Sequence, residues 1–349
     1  VTPTDSIREA VRRMAGYVPG EQLNDPDLVK LNTNENPYPP SPRVFEAVQA
    51  ALTGDRLRKY PQPLGDTFRR AAGRVLNVDP DGILIGNGSD DILTILTRAF
   101  VPEGGLVLAP TPSYVLYKSL AEIQGARFET VPFTPDWQLP RTWPAGGNIT
   151  FLPNPNSPSG TVVSLAEVER LAAAVAPAPL VLDEAYADFA DDNGLSLLGR
   201  VPNLIVTRTL SKSYALAGIR FGFAVAAPAV IRELVKVKDS YNCDVLSLAA
   251  ATAAVEDQDY FREVRAKILA TRGRLAAALA ALGFDVTPSH TNFLWCRRAD
   301  RPVKPLYEEL KRRGVLVRYM NYAGTDGLRI TVGSDAETDR LLAELRSIL

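Results

Sequence analysis

One lysine of this sequence sits where an amine is costly to leave idle. The stretch Thr207-Arg-Thr-Leu-Ser-Lys-Ser-Tyr-Ala-Leu-Ala-Gly-Ile-Arg-Phe-Gly222 follows an apolar run, Leu204-Ile205-Val206, and presents Lys212 in a hydroxyl-rich turn. An amine at the end of a buried strand is suited to forming a Schiff base with a carbonyl compound, and pyridoxal 5'-phosphate (PLP) is the commonest cofactor held that way. Thr209, Ser211 and Arg220 lie close by and could offer two hydroxyls and a guanidinium to the cofactor's phosphate. A lysine in a polar loop is ordinarily just solvated, so the reading depends on what else the chain places at strand ends.

Several other stretches carry chemistry. Gly86-Asn-Gly88-Ser89-Asp90 is a glycine-rich turn opening a helix, where free amides and the helix dipole hold an anion, although Ser89 could equally be a plain N-cap. Asp183 ends the apolar run 180–182 and is followed by Glu184-Ala-Tyr186. A carboxylate there is desolvated and needs a cation, and a protonated pyridine nitrogen is one. Asn154-Pro-Asn-Ser-Pro-Ser-Gly160 could aim an amide at the ring's phenolic oxygen, and Tyr114 in Pro110-Thr-Pro-Ser-Tyr could stack on its face. Arg318 and Arg329 interrupt two apolar runs, Val315-Leu-Val-Arg318 and Leu328-Arg-Ile-Thr-Val332. A buried arginine calls for an anion; one fork suits a carboxylate, and two can enclose a phosphate dianion.

The elements that must position these residues follow from periodicity. Short apolar strands are expected at 83–85, 106–108, 128–131, 149–152, 180–182, 204–206 and 221–226, with helices between them at 89–99, 113–124, 164–175 and 228–238. Such alternation predicts an α/β fold with a mostly parallel sheet flanked by helices. The alanine- and leucine-rich stretch 245–282 reads as nearly all helical, a bridge to a smaller α+β domain, with strands near 292–297, 315–318 and 328–332 and helices near 303–313 and 335–348. At the other end, residues 5–15 read as an amphipathic helix, and Leu31-Asn-Thr-Asn-Glu-Asn-Pro37 as an extended arm. The expected division is an arm at 1–42 that joins part of the small domain, a large domain at 43–244 and a small domain at 245–349.

Composition removes other classes. The net charge of −1 gives no footprint for nucleic acid or an anionic membrane, and no apolar run approaches the ~18 residues of a membrane span. The single histidine, His290, excludes a multi-histidine metal site, so no metal is expected and proton transfer falls to lysine, tyrosine or carboxylate. Cys243 and Cys296 are far apart and fit no zinc or redox spacing, which points to a reducing cytoplasm.

Taken in chain order, phosphate turn, stacking aromatic, Asn-Pro loop, strand-end Asp with Tyr, then Ser-Lys and Arg, the sequence resembles the fold-type I, class I/II PLP-dependent aminotransferases along essentially its whole length. Within them Tyr17-Val-Pro-Gly20, the arm 31–37, Arg58-Lys-Tyr-Pro61, the Lys212 stretch and Gly327-Leu-Arg-Ile-Thr-Val-Gly333 are similar to the histidinol-phosphate aminotransferase family. The resemblance implies Lys212 as the Schiff-base lysine, Asp183 as partner of the pyridine nitrogen, Tyr186 at the phenolic oxygen and Tyr114 stacked on the ring. It places Gly88, Ser89, Asp90, Thr209, Ser211 and Arg220 around the phosphate, and Tyr17, Asn36, Tyr60, Arg318 and Arg329 around the substrate. Tyr60 would reach a partner's cofactor site, so a homodimer is implied, with histidinol phosphate as amino donor and 2-oxoglutarate as acceptor, giving glutamate. The family usually has Asn immediately before Pro-Thr-Gly; here that position is Ser157, and Asn156, one residue earlier, is the expected cofactor contact. The competing readings are an aromatic aminotransferase or phosphothreonine decarboxylase on the same fold, a silent PLP-fold regulator, and a nucleotide-binding oxidoreductase. The last lacks the third glycine of its fingerprint at 86–88, and no appended DNA-binding segment supports the regulator.

Overall fold

The computed structural model describes residues 2–16, 21, 27–322 and 325–349. At the N-terminus a 3-10 turn (Pro3–Ser6) and a short helix, α1 (Glu9–Arg13), stand where one helix over 5–15 was expected. None of their residues is buried, and so short a helix gains little without a packed face. The chain then contributes β1 (Val29–Lys30), the helices α2 (Pro42–Ala51), α3 (Gly54–Leu57) and α4 (Asp66–Leu76), and the strand β2 (Ile83–Gly86). Alternation follows: α5 (Ser89–Phe100), β3 (Leu106–Thr111), α6 (Leu116–Gln124), β4 (Arg127–Pro132), β5 (Ile149–Pro153), α7 (Leu165–Val175), β6 (Leu180–Asp183) and β7 (Leu204–Thr209). Next come β8 (Gly222–Val225) and α8 (Pro228–Leu234).

These strands form one seven-stranded sheet in the order β2-β8-β7-β6-β5-β3-β4, and only β8 runs antiparallel to its neighbours. Strand periodicity sends alternate residues to opposite faces. Leu84, Phe151, Val181 and Ile205 join α5 and α6 on one side, while Leu152, Leu180, Leu182, Leu204 and Val206 pack with α7 on the other. Both faces are therefore apolar, as a covered parallel sheet requires.

The helical stretch expected over 245–282 is two helices, α9 (Val245–Glu256) and α10 (Gln258–Ala281). Asp257 breaks it, capping α10 while accepting a hydrogen bond from the Ser41 hydroxyl. Ala250, Ala251 and Ala254 of α9 pack in the same cluster as Phe68, Ile83 and Phe223 of the large body. Leu275 and Leu279 of α10 instead enter the core of the smaller body. We therefore propose the boundary between the two bodies at Asp257 rather than at 244.

The smaller body holds β9 (Asp285–Val286), β10 (Phe293–Arg297), α11 (Lys304–Arg312), β11 (Val315–Leu316), β12 (Arg318–Tyr322), β13 (Thr325–Thr331) and α12 (Asp335–Ile348). Its antiparallel sheet runs β12-β13-β10-β9, and β11 pairs separately with β1 of the arm. The apolar run read as one strand over 315–318 thus changes partner: Val315 and Leu316 pair with the arm, and Arg318 pairs with Arg329 on β13. Leu294, Leu328 and Ile330 face the helices, which leaves Arg329 on the opposite face. Among the described residues no helix is long and apolar enough to cross a membrane.

Candidate active site

Parallel strands that end at one level create a crevice beyond their carboxyl ends, and ligands of open α/β sheets bind there. A cavity of about 270 Å³ occupies that position, between the large sheet, the arm and the small sheet. Each neighbouring strand end contributes to it. The turn after β2 supplies Ser89 and Asp90, and the loop after β3 supplies Tyr114. The loop after β5 brings Ser157, β6 ends in Asp183 with Tyr186 beyond it, and β7 leads through Thr209 and Ser211 to Lys212. Arg220 enters from just before β8, and Arg318 and Arg329 from the small sheet.

The phosphate end is shaped by close backbone approach. A Cβ on Gly222 would lie 2.5 Å from the Ser89 amide nitrogen, so only glycine lets β8 start against this turn. Gly88 does not line the cavity, but it has φ +83°, and a Cβ there would meet Arg220 Nη2 at 2.6 Å. Arg220 itself sits at φ 56°, an uncommon conformation for a residue with a side chain. Its guanidinium donates to Ser211 Oγ at 3.4 Å and Asp90 Oδ2 at 3.4 Å, and Thr209 Oγ1 donates to Ser211 Oγ at 3.0 Å. Three hydroxyls, a guanidinium and a helix N-terminus converge there, and this donor set fits a phosphate.

At the other end Asp183 is 4% exposed. Tyr117 donates to its Oδ2 at 2.7 Å and Thr207 to its Oδ1 at 3.3 Å. Burial pushes its carboxyl up to about 6, against the pull of these donors. A carboxylate so desolvated calls for a cation, and a protonated ring nitrogen fits the place. Lys212 Nζ donates to the backbone carbonyl of Thr33 at 2.9 Å. Burial, with Arg329 nearby, lowers its amine to about 8, within reach of the neutral, nucleophilic form. Tyr186 lines the same cavity, its hydroxyl accepting from Asn34 Nδ2 at 2.9 Å and its ring edge-on to Phe293. The structure thus presents an attachable amine, a carboxylate for a ring nitrogen, an aromatic face and a phosphate cradle in one crevice, and these residues fit PLP.

Not every expected residue lines the cavity. Asn156 is buried behind the surface, its amide donating to Pro112 O at 3.2 Å and Ser159 Oγ at 2.9 Å, while Ser157 faces the cavity in its stead. Asn36 also stands back from the wall, and its amide donates to the carbonyls of Lys212 and Ser213 at 3.0 and 3.1 Å. Tyr60 is 80% exposed and stacks on Tyr241 at 4.4 Å, away from the cavity of its own chain. Tyr17 lies outside the described residues. Sequence reasoning missed the arm residues Asn32 to Asn34, Met320 and the donor Tyr117. Tyr117 could have been found: a phenol on a buried helix face, three residues after Tyr114, needs a hydrogen-bond partner. The arm and Met320 carry no such signal. Among the described residues no cluster of His, Cys, Asp or Glu could hold a metal ion.

The chain has likenesses in sequence and in fold. Residues 26–345 match the family described as aminotransferase class I and II. The chain is 52% identical over 339 residues to a histidinol-phosphate aminotransferase of Rhodopirellula baltica, covering 95% of this chain and 92% of that one. It is 46% identical over 346 residues to one from Syntrophotalea carbinolica, covering 98% and 99%. Among solved structures, the histidinol-phosphate aminotransferase of Sinorhizobium meliloti in complex with pyridoxal-5'-phosphate superposes with a TM-score of 0.83 at 30% identity, over 92% of this chain and 91% of that one. With the strand-end lysine, the buried carboxylate and the phosphate cradle in one crevice, the chain belongs to the class I and II aminotransferases, enzymes that work with pyridoxal 5'-phosphate.

Proposed function

We propose that this enzyme transfers the amino group of L-histidinol phosphate to 2-oxoglutarate, giving imidazole-acetol phosphate and L-glutamate, a reaction of histidine biosynthesis. The observation that carries the substrate is the pairing of Arg318 and Arg329 on adjacent strands at the cavity's outer wall. Two guanidinium forks fit a phosphate dianion in the first half-reaction and the carboxylates of 2-oxoglutarate in the second. The curated relatives at 52% and 46% identity carry the same activity in their names.

When bound, PLP supplies an electron sink for negative charge at the substrate carbon. The chain's residues do the rest. Lys212 would hold the cofactor, and its amine, which donates to the Thr33 carbonyl, is placed to move the proton at the substrate carbon. Asp183, held by Tyr117 and Thr207, would face the ring nitrogen. Tyr114 would stack on the ring, Tyr186 would bond the phenolic oxygen, and Ser89, Asp90 through its backbone, Thr209, Ser211 and Arg220 would hold the phosphate. We assign Ser157, rather than Asn156, to the wall beside the ring, because it is Ser157 that faces the cavity.

We propose a homodimer as the working unit. Tyr60 stacks on Tyr241 at the surface, and Phe45, Leu52 and Leu57 are each more than half exposed nearby in sequence, a face suited to a second copy whose cavity Tyr60 would enter. The cytoplasm is the setting we propose, consistent with two free, buried cysteines. The deciding experiment is a half-reaction screen of amino donors on the PLP-loaded enzyme, followed by absorbance. Histidinol phosphate is expected to react fastest; a preference for phenylalanine or tyrosine hands the assignment to an aromatic aminotransferase.

A further inference from the structure

Asp183 is held by a residue that lies outside the cavity wall. Tyr117 is fully buried, and its phenol donates to Asp183 Oδ2 at 2.7 Å, the shortest side-chain hydrogen bond that the carboxylate receives. Its ring is clamped between two others. It stacks on Phe151 at 4.7 Å with planes 5° apart, and it meets Tyr114 edge-on at 5.6 Å and 87°. Phe151 belongs to β5, next to β6 that carries Asp183, and Tyr117 opens α6, three residues after Tyr114. The phenol cannot swing away without breaking a stacked contact in the core, so its hydroxyl is a fixed donor. Burial and the neighbouring Asp183 charge raise its own ionisation well above the usual range, so it remains a donor at every working pH.

We propose that Tyr117 is a positioning residue of the active site: its hydroxyl fixes the orientation and charge of the Asp183 carboxylate, and its ring edge sets the plane of Tyr114, so that one side chain registers the ring-nitrogen partner against the stacking face. The proposal rests on the reading that Asp183 faces the cofactor's ring nitrogen. Three facts support it together. The donor is buried and rigidly packed, the acceptor is the buried carboxylate at the crevice, and the same phenol touches Tyr114, which also lines the crevice. A tyrosine needed only to fill this core could be phenylalanine without loss. The hydroxyl matters because a carboxylate buried without its donor favours the neutral acid, which has no charge to offer a protonated ring nitrogen.

The sign follows from the direction of the Asp183 shift. Its folded-state carboxyl is already raised to about 6 by burial, and the Tyr117 hydrogen bond works against that rise. Removing the hydroxyl therefore moves the protonation of Asp183 further upward, toward neutral pH. The anionic form that pairs with the ring nitrogen is then lost at a higher pH as the solution is acidified.

The test is PLP affinity of the apo-enzyme between pH 5 and 9, read by absorbance titration, for wild type and two near-isosteric variants. Y117F removes the donor; 3,5-difluorotyrosine placed at position 117 alone strengthens it. Y117F is expected to bind PLP about 10-fold more weakly at neutral pH, with the acid limb of the affinity profile displaced upward by about one unit. The difluorotyrosine variant is expected to displace that limb downward. Neither variant should change affinity for the PLP analogue with CH in place of the ring nitrogen, because the effect passes through Asp183 to that nitrogen. A purely structural role would weaken both ligands equally and leave the limb in place. Should Y117F fail to fold, the fluorinated enzyme still decides: an acid limb unchanged from wild type overturns the proposal. D183N on the same ligands separates the two levels. If D183N weakens PLP but not the analogue while the Tyr117 variants behave as wild type, only the role of Tyr117 falls. If D183N treats both ligands alike, the assignment of Asp183 to the ring nitrogen falls with it.

Discussion

The two walls of the cavity are built on different principles. The inner wall comes from the ends of neighbouring parallel strands, where each residue is fixed by its place in one sheet: Asp183 ends β6 and aligns with Thr207 on β7 and Pro153 on β5. The outer wall is assembled from distant segments, with Asn32 from the arm, Arg318 and Met320 from β12 and Arg329 from β13. Its cross-links are long-range, such as Arg329 donating to Ser157 Oγ at 3.1 Å and to Asn32 O at 3.0 Å. On the proposed function the inner wall carries chemistry that has to be rigid and dry, since an electron sink depends on a charge kept in place. On the same reading the outer wall carries recognition, which tolerates partial exposure. Changes on the inner wall should therefore destroy turnover, and changes on the outer wall should redistribute it among substrates.

The largest effect is expected at Lys212. K212A should lower transamination by at least about 1,000-fold, measured as steady-state glutamate formation, while far-ultraviolet circular dichroism stays that of wild type. Residual turnover at wild-type rate would remove the central residue from the mechanism. D183N comes next. Losing the partner of a buried charge costs roughly 3–5 kcal/mol, so turnover should fall by about 100- to 5,000-fold with PLP still detectable by its absorbance. An enzyme that keeps near-full activity would make Asp183 structural and erase the contrast between the walls.

On the outer wall, R318A and R329A should each weaken kcat/KM for histidinol phosphate by about 10- to 100-fold and that for phenylalanine much less. Equal losses on both donors would mean that the arginines hold the wall together and do not read the phosphate. R329A also frees Asn32 and Ser157, so it should be the more damaging of the two. A pH series sharpens the inner wall. Because the Lys212 amine is lowered to about 8, its neutral form grows as pH rises toward and through that value. The rate at which apo-enzyme captures PLP should climb with pH and level off with a midpoint near 8; a climb that continues to pH 10 would show an ordinary solvated lysine. The smallest effect is expected in the Asn-Pro loop. S157A should displace the pH at which the cofactor's visible band changes, and N156A should leave that pH in place while lowering the thermal midpoint, since its amide ties Pro112 to Ser159. The opposite pattern would return the cofactor contact to Asn156.

Sequence reading brought the inner-wall residues to one cavity for a physical reason. A strand-end residue is positioned by a local apolar run and the turn that follows, so Lys212, Asp183, Ser89 and Tyr114 could be placed from their immediate neighbours. The same reading stopped short where position depends on partners far along the chain. Residues 245–282 had helical composition throughout, yet Asp257, tied to Ser41, breaks them into two helices that serve different bodies. In the Asn-Pro loop one residue of register decides which side chain faces the cavity, and nothing in the local composition ranks Asn156 above Ser157.

What this sequence determined by itself is the alternating α/β order, the strand-end chemistry and the PLP-dependent class, because period-two apolar runs and glycine-rich turns act through neighbours in the chain. Tertiary structure alone decided that Tyr117 holds Asp183 and that Arg318 lies beside Arg329. It also set Lys212 against the carbonyl of Thr33 and left Tyr60 on the surface, facing away from its own cavity. Each of these joins residues from separate elements, and such a contact exists only once the packing of sheet, arm and smaller body has brought the two sides together.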